Sequence, residues 1–173
     1  MYLGQEYQVF DWFYIHFTEN NGMAFGMEFG GDWGKLGLSL FRIVFVVFMA
    51  SFLLKLIRKN ADKVLIVSLS LVLAGAIGNI IDGTFYGILF SESYRQIATF
   101  LPEAGGYAPL FFGKVVDMFY FPIYKGYIPE WIPFWGGDYF VFFRPVFNIA
   151  DSAISIGVAI MVIFQKKVMK ELE

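Results

Sequence analysis

The residues best suited to chemistry in this sequence are aspartates that lie within or directly after apolar runs. Asp151 lies near the start of the apolar stretch 145–164. On a helix, Asn148 and Ser152 would share a face with Asp151, because positions three and four apart are one turn apart. A carboxylate inside a membrane span is costly unless it faces a partner or water, and such acids often mark proton chemistry. A functional site is therefore expected at Asp151, with a structural polar contact between helices as the alternative.

Two other aspartates are weaker candidates on pattern alone. Asp82 ends a run in which Gly75, Gly78 and Asn79 would lie on its own helical face. The two glycines are expected to allow close helix packing, and Asn79 to form a hydrogen bond across that contact. For Asp82 itself, a structural hydrogen bond and a part in the site are equally expected. Asp117 follows a short apolar run and is typical of an ordinary loop aspartate.

The composition excludes several other kinds of site. The chain has no cysteine, and His16 is its only histidine. Thiol catalysis is therefore excluded, and a Ser-His pair or a zinc site with two imidazoles is disfavoured. The net charge of −2, without a basic tract, makes nucleic acid an unexpected partner. No metal and no other cofactor is expected, so the available chemistry is that of carboxylates, amides and hydroxyls.

The elements that must position these residues are membrane helices. The chain is 58% hydrophobic and only 16% charged, whereas soluble domains carry about 25% charged residues. A helix needs about 20 residues to cross the hydrocarbon core, and the stretches 36–57, 64–81 and 145–164 are long enough. The sequence thus predicts a mainly α integral membrane bundle with three transmembrane helices, forming a single membrane-embedded domain over residues 1–173.

The remaining segments predict a small β-rich platform outside the membrane. Residues 1–34 contain the strand-forming stretch 12–17, followed by a turn at Asn20-Asn21-Gly22, which predicts a short hairpin. Residues 83–144 are rich in aromatic residues, as is typical of the membrane interface. The basic residues lie in the loop between the first two spans and in the tail after the third. The positive-inside rule places that loop and that tail, with the C-terminus, in the cytoplasm.

Four motifs together resemble the bacterial lipoprotein signal peptidase (signal peptidase II) family. In chain order they are the Asn-x-Gly-x-Ala-Phe run from Asn20 to Phe25, the Gly-x-x-Gly-Asn-x-x-Asp run from Gly75 to Asp82, the Val-Val-Asp run ending at Asp117, and the Phe-Asn-x-Ala-Asp-Ser run from Phe147 to Ser152. The last run is a close match. The order and membrane context of the motifs also agree with that family.

The resemblance implies an aspartic endopeptidase of the bacterial cytoplasmic (inner) membrane, with its active site near the outer face. Asp117 and Asp151 would form the catalytic pair, and Asn20, Asn79, Asp82 and Asn148 would bind substrate or support the pair. The implied substrate is a prolipoprotein whose cysteine carries a diacylglyceryl group. Membrane lipid is the other implied partner. A monomer is expected, because one chain would hold both aspartates.

Three features depart from the family pattern. Gly83 stands where the family has arginine after Asp82, and Arg95 or Arg144 is the candidate replacement. Residues 83–112 and 120–143 resemble insertions. The family's Asp-x-x-x-Lys box, carried by a first transmembrane helix, is absent before Asn20, which predicts a further helix upstream of Met1.

A transport function is the main alternative. A small proton- or cation-coupled membrane subunit would use Asp82 and Asp151, because intramembrane acids also mark ion pathways. Many transporters contain internal repeats, and none is found in this sequence.

Overall fold

The computed structural model describes residues 1–22 and 31–172. Met23, Ala24 and Phe25 of the first motif therefore lie outside the described residues. The chain divides into two compact units. One comprises Met1–Glu19, Ser93–Ile97 and Val116–Asn148, and the other comprises Asn20–Glu92, Ala98–Val115 and Ile149–Glu173. The first contains most of the strands and the second contains the helices.

The helical unit is built from helices α1 (Gly31–Arg58), α2 (Lys63–Leu89), α3 (Ile149–Ile163) and α4 (Gln165–Leu172). Helices α1 and α2 are long and apolar enough to cross a membrane. Helix α3 has 15 residues, fewer than the roughly 20 that a span requires. It bends by 85° into α4, and the two make a third candidate only when taken as one broken span.

Glycines set the packing of α2 against α3. A Cβ atom added at Gly75 would collide with the carbonyl oxygen of Ala150, and one at Gly78 would lie 3.1 Å from the Ala150 Cβ. Farther along the same contact, a Cβ at Gly157 would lie 2.6 Å from the Ser68 carbonyl oxygen. The predicted packing role of Gly75 and Gly78 is confirmed, because any larger residue would force the backbones apart.

A small apolar cluster closes the end of the helical unit where α1 turns into α2. Leu56, Ala61 and Leu65 are its buried members, and Val168 of α4 packs against them. The turn ends at Asp62, whose carboxylate accepts a hydrogen bond from the Val64 backbone N–H at 2.8 Å and so caps α2. The basic residues of the α1–α2 turn and those of α4 therefore lie at one end of this unit.

The other unit is organised around a four-stranded sheet. Its strands are β1 (Glu6–Phe10), β2 (Phe13–Asn20), β3 (Val115–Tyr120) and β6 (Val146–Phe147), in the order β1-β2-β3-β6. A separate hairpin consists of β4 (Tyr124–Tyr127) and β5 (Tyr139–Phe142), which pair antiparallel. The prediction of a β-rich region beside membrane helices is confirmed.

The predicted N-terminal hairpin differs from the observed one in its turn. Strand β2 pairs with the preceding β1 across Asp11 and Trp12, and the Asn20–Gly22 turn ends β2 instead of closing the hairpin. The observed turn is stabilised because the rings of Phe10 and Trp12 stack at 5.5 Å between centroids. Strand-forming composition identified β2, but composition alone did not indicate its partner.

Two helix ends also differ from the predicted span limits. Helix α2 continues past residue 81 to Leu89, and the segment from Ala108 to Gly113 packs against this extension, with Ala108 N–H donating to the Gly87 carbonyl at 2.9 Å. Residues 145–148 are not helical, because Phe147 pairs with Phe119 of β3. Helix α3 therefore begins two residues before Asp151.

Candidate active site

Asp117 is held in the sheet unit by an amide. Asp117 is 6% exposed, and its Oδ1 accepts a hydrogen bond of 2.9 Å from the Asn148 Nδ2. The same Nδ2 lies 3.3 Å from the backbone carbonyl oxygen of Val116. The pairing of β3 with β6 explains the contact, because it brings the residue that follows β6 alongside β3. Asp117 is thus a buried, oriented carboxyl group and not the solvated loop residue that its local pattern indicated.

Asp151 is held in the helical unit by a second amide. Its Oδ1 accepts a hydrogen bond of 2.9 Å from the Asn79 Nδ2 of α2. The short side chain of Asn79 can reach across because Gly75 and Gly78 allow α2 to approach α3 closely. The predicted cross-helix hydrogen bond of Asn79 is confirmed, and its acceptor is the predicted catalytic aspartate.

Asp82 lies on α2 with a partner on its own helix. The hydroxyl of Tyr86, one turn farther along, hydrogen-bonds the Asp82 carboxylate. The backbone carbonyl of Asp82 faces the loop that covers the end of α2, since a Cβ at Gly113 would lie 2.5 Å from that oxygen. The hydrogen bond from Tyr86 supports a structural role for the Asp82 carboxylate. A part for Asp82 in the site stays a prediction.

Asn20 shapes the turn that ends β2. Its Oδ1 accepts a hydrogen bond of 2.6 Å from the Gly22 backbone N–H, and Gly22 has φ +78°. The ammonium group of Lys35 donates to the Asn21 Oδ1 at 2.8 Å, and the guanidinium of Arg42 donates to the Gly22 carbonyl. Both cations belong to α1. The predicted turn is therefore present and is bound to a helix.

Arg42 is a residue whose contacts sequence reasoning missed. The residue lies within the predicted span 36–57, and its guanidinium donates to the Gly22 carbonyl. A signal was present, since Lys35, Ser39 and Arg42 recur at spacings of four and three. That spacing places three polar side chains on one face of an otherwise apolar helix.

The chemistry available to these groups is proton transfer by carboxyls. In each unit an amide N–H fixes one oxygen of a predicted catalytic aspartate, which limits rotation of the carboxyl group. Across residues 1–22 and 31–172, no three His, Asp or Glu side chains are grouped so that they could hold a metal ion. Asp117 and Asp151 fall in different units, and their pairing stays a prediction.

Comparisons with known proteins identify the family. The family model described as Signal peptidase (SPase) II matches residues 1–166. The Lipoprotein signal peptidase of Porphyromonas gingivalis is 56% identical over 164 residues, which cover 94% of this chain and 71% of that protein. The Lipoprotein signal peptidase of Amoebophilus asiaticus is 39% identical over 163 residues, 93% of this chain and 64% of that protein.

Solved structures agree with the sequence relatives. A bacterial membrane enzyme determined by the in meso method at 2.3 Å resolution matches with a TM-score of 0.57 and 25% identity, over 96% of this chain and 74% of that one. With the apolar helices α1 and α2, this similarity indicates a membrane protein. The resemblance inferred from the four motifs is confirmed, and the chain belongs to the signal peptidase II family of peptidases.

Proposed function

We propose that this protein is an intramembrane aspartic endopeptidase that removes the signal peptide from prolipoproteins bearing a diacylglyceryl-modified cysteine. The observation that carries the proposal is the hydrogen bond from Asn148 to Asp117. Asn148 binds one predicted catalytic aspartate and precedes the other, Asp151, by three positions. Three residues of chain reach at most about 11 Å, so this contact supports a site that contains both carboxyls.

The proposed reaction uses the two aspartates as an acid and base pair. Two carboxyls about 3 Å apart cannot both be ionised at low cost, so one keeps a proton. The ionised member removes a proton from water, whose oxygen attacks the scissile carbonyl, while the protonated member donates to the carbonyl oxygen. When the tetrahedral intermediate collapses, the C–N bond breaks and the leaving amine takes the proton that the first aspartate removed from water. One hydroxyl of the intermediate returns its proton to the second aspartate as the carbonyl re-forms, which restores the pair. No covalent acyl-enzyme is required.

The amides have a supporting role in this proposal. Asn79 and Asn148 fix the carboxyl planes of Asp151 and Asp117, which preserves the geometry that proton transfer needs. Asn20 shapes the turn bound by Arg42, and Asp82 contributes negative charge or a hydrogen bond at the outer end of its span. The substrate's acyl chains would remain in lipid during cleavage.

The proposed arrangement places the C-terminus in the cytoplasm and the site near the outer face of the bacterial inner membrane. The three spans would be α1, α2 and the α3–α4 pair, in one peptidase domain that functions as a monomer. Segments 1–34 and 83–144, including the insertions, would lie outside the cytoplasm. The basic residues of the α1–α2 turn and of α4 lie at one end of the helical unit, which supports this orientation by the positive-inside rule.

Cleavage of a lipidated precursor tests the proposal directly. The full-length protein in detergent would be given a diacylglyceryl-modified prolipoprotein and, separately, the unlipidated precursor. Asp117→Asn and Asp151→Asn should each abolish cleavage, whereas Asp62→Asn, the same change at a helix cap that asparagine also satisfies, should not. Full activity in either active-site variant would overturn the pair, and equal cutting of the unlipidated precursor would overturn the substrate.

The transport alternative makes a different prediction. A proton- or cation-coupled subunit would move ions across proteoliposomes, and that flux would depend on Asp82 and Asp151. Ion flux without precursor cleavage would replace the peptidase proposal. Membership in a peptidase family favours cleavage.

A further inference from the structure

A polar stripe on α1, formed by Lys35, Ser39 and Arg42, holds two segments of the helical unit. The Lys35 ammonium donates to the Asn21 Oδ1 at 2.8 Å and to the Phe112 carbonyl at 3.0 Å. One turn along, the Ser39 hydroxyl donates to the Lys35 carbonyl at 3.0 Å. Arg42 then binds the Gly22 carbonyl. The stripe carries two cations along a helix that is otherwise apolar enough to cross a membrane.

The Arg42 guanidinium lies close against Gly22. A Cβ atom added at Gly22 would lie 2.5 Å from the Arg42 Nη1. Gly22 also has φ +78°, which favours glycine independently. The guanidinium therefore lies directly against the turn backbone, and the Asn20 side chain closes the other side of that turn.

The position at which the resembling family carries arginine offers no cation in this chain. It is occupied by Gly83, and a Cβ there would meet nothing within 4 Å in the described part of the chain. Arg95 belongs to the sheet unit and stacks on Tyr94 at 5.0 Å. Arg42, in contrast, contacts the first motif directly through the Gly22 carbonyl.

From these contacts we infer that Arg42 is a positioning residue of the active site, which fixes the Asn20–Gly22 turn on α1. The inference rests on the proposed peptidase function. Its positive charge is the decisive property, because a charged donor forms a hydrogen bond to the Gly22 carbonyl that is about twice as strong as the bond from a neutral amide.

Two substitutions at Arg42 separate charge from hydrogen bonding. Arg42→Gln keeps a donor and removes the charge, whereas Arg42→Lys keeps both a donor and the charge. Loss of the charge removes about half of such a charge-assisted hydrogen bond, which corresponds to about a fourfold to tenfold effect. We expect Arg42→Gln to lower kcat on the lipidated precursor by that factor with KM nearly unchanged, and Arg42→Lys to retain kcat within about threefold. Arg58→Gln, the same change at the exposed far end of α1, is the matched control.

The outcomes distinguish this inference from the proposed function. If wild-type protein cleaves and Arg42→Gln matches Arg42→Lys, the role of the charge is overturned while the peptidase stands. If wild-type protein fails to cleave, the proposed function fails first. Thermal unfolding in detergent shows whether each variant folds. Should Arg42→Gln not fold, a folded Arg42→Lys that loses more than about tenfold in kcat would overturn the inference, since it retains the charge.

Discussion

The side-chain amide of Asn148 donates a 2.9 Å hydrogen bond to the carboxylate of Asp117. Both residues are almost fully buried, at 8% and 6% exposure. Burial of a carboxyl group is costly unless hydrogen bonds compensate for lost water. Asn148 therefore stabilises the fold and also fixes a proposed catalytic carboxyl group, and Asn79 has the corresponding relation to Asp151 in the helical unit.

Asn148→Ala should reduce both stability and activity. The change removes the donor that serves the Asp117 carboxylate and the Val116 carbonyl. A buried partner left unsatisfied costs about 1–3 kcal/mol in unfolding free energy. We expect cleavage of the lipidated precursor to fall by about tenfold or more, as measured by initial rates on protein that retains its fold.

The control for this change is Gln8→Ala. It also removes an amide, but the Gln8 side chain is exposed and donates to Asp11 in the same sheet unit. Unfolding in detergent and cleavage should both stay near wild type. An Asn148→Ala variant as stable and as active as Gln8→Ala would contradict a role for the Asn148 amide.

Local patterns predicted the helical part of the site well. Gly75, Gly78 and Asn79 were assigned to one helix face from their spacing, and the structure finds that face against Ala150 and Asp151. Such inferences work because helix periodicity is set by neighbouring residues. The extension of α2 to Leu89 was missed, since it depends on backbone contacts from a loop about twenty residues away.

The strand part of the site was not predictable from local pattern. Asp117 and Asn148 are 31 positions apart, and their contact depends on the pairing of β3 with a two-residue strand, β6. Two residues are too few to determine the register of a strand from the sequence. Motif resemblance identified Asp117 because it draws on the whole family fold. The contact of Arg42 was missed because its partner Gly22 lies 20 positions earlier in the chain, beyond the reach of helix periodicity.

Gly75→Ala should separate α2 from α3. The added methyl would meet the carbonyl oxygen of Ala150, a backbone atom that cannot rotate away. Overpacking of this kind costs about 1–3 kcal/mol, and the shift would lengthen the Asn79–Asp151 hydrogen bond. We expect a lower unfolding temperature and reduced cleavage, measured by thermal unfolding and precursor assay.

Gly83→Ala is the matched comparison on the same helix. A Cβ at Gly83 meets nothing within 4 Å of the described residues. Alanine is favoured over glycine in a helix interior by about 1 kcal/mol, so stability should hold or rise. Equal effects of the two alanine substitutions would show that close packing at Gly75 does not matter.

The proposed orientation can be tested with single cysteines, because the chain has none of its own. Phe134→Cys places a thiol at a residue that is 96% exposed in the 83–144 segment, and Lys59→Cys places one in the α1–α2 turn. In intact bacterial spheroplasts, a membrane-impermeant maleimide should label position 134 and not position 59. Permeabilised cells, in which both should react, control for accessibility. The reverse pattern would overturn the orientation.

Asp82 provides the sharpest test of which aspartate partners Asp151. Its carboxylate already accepts a hydrogen bond from Tyr86 on its own helix, whereas Asp117 is buried and held by Asn148. Asp82→Asn should therefore lower cleavage by about tenfold or less, because the asparagine oxygen can still accept the hydrogen bond from Tyr86 and only its charge assistance is lost. Asp117→Asn should leave no measurable cleavage. If instead Asp82→Asn abolishes cleavage and Asp117→Asn retains it, the acid and base pair is Asp82 with Asp151, and the hydrogen bond from Asn148 to Asp117 is structural.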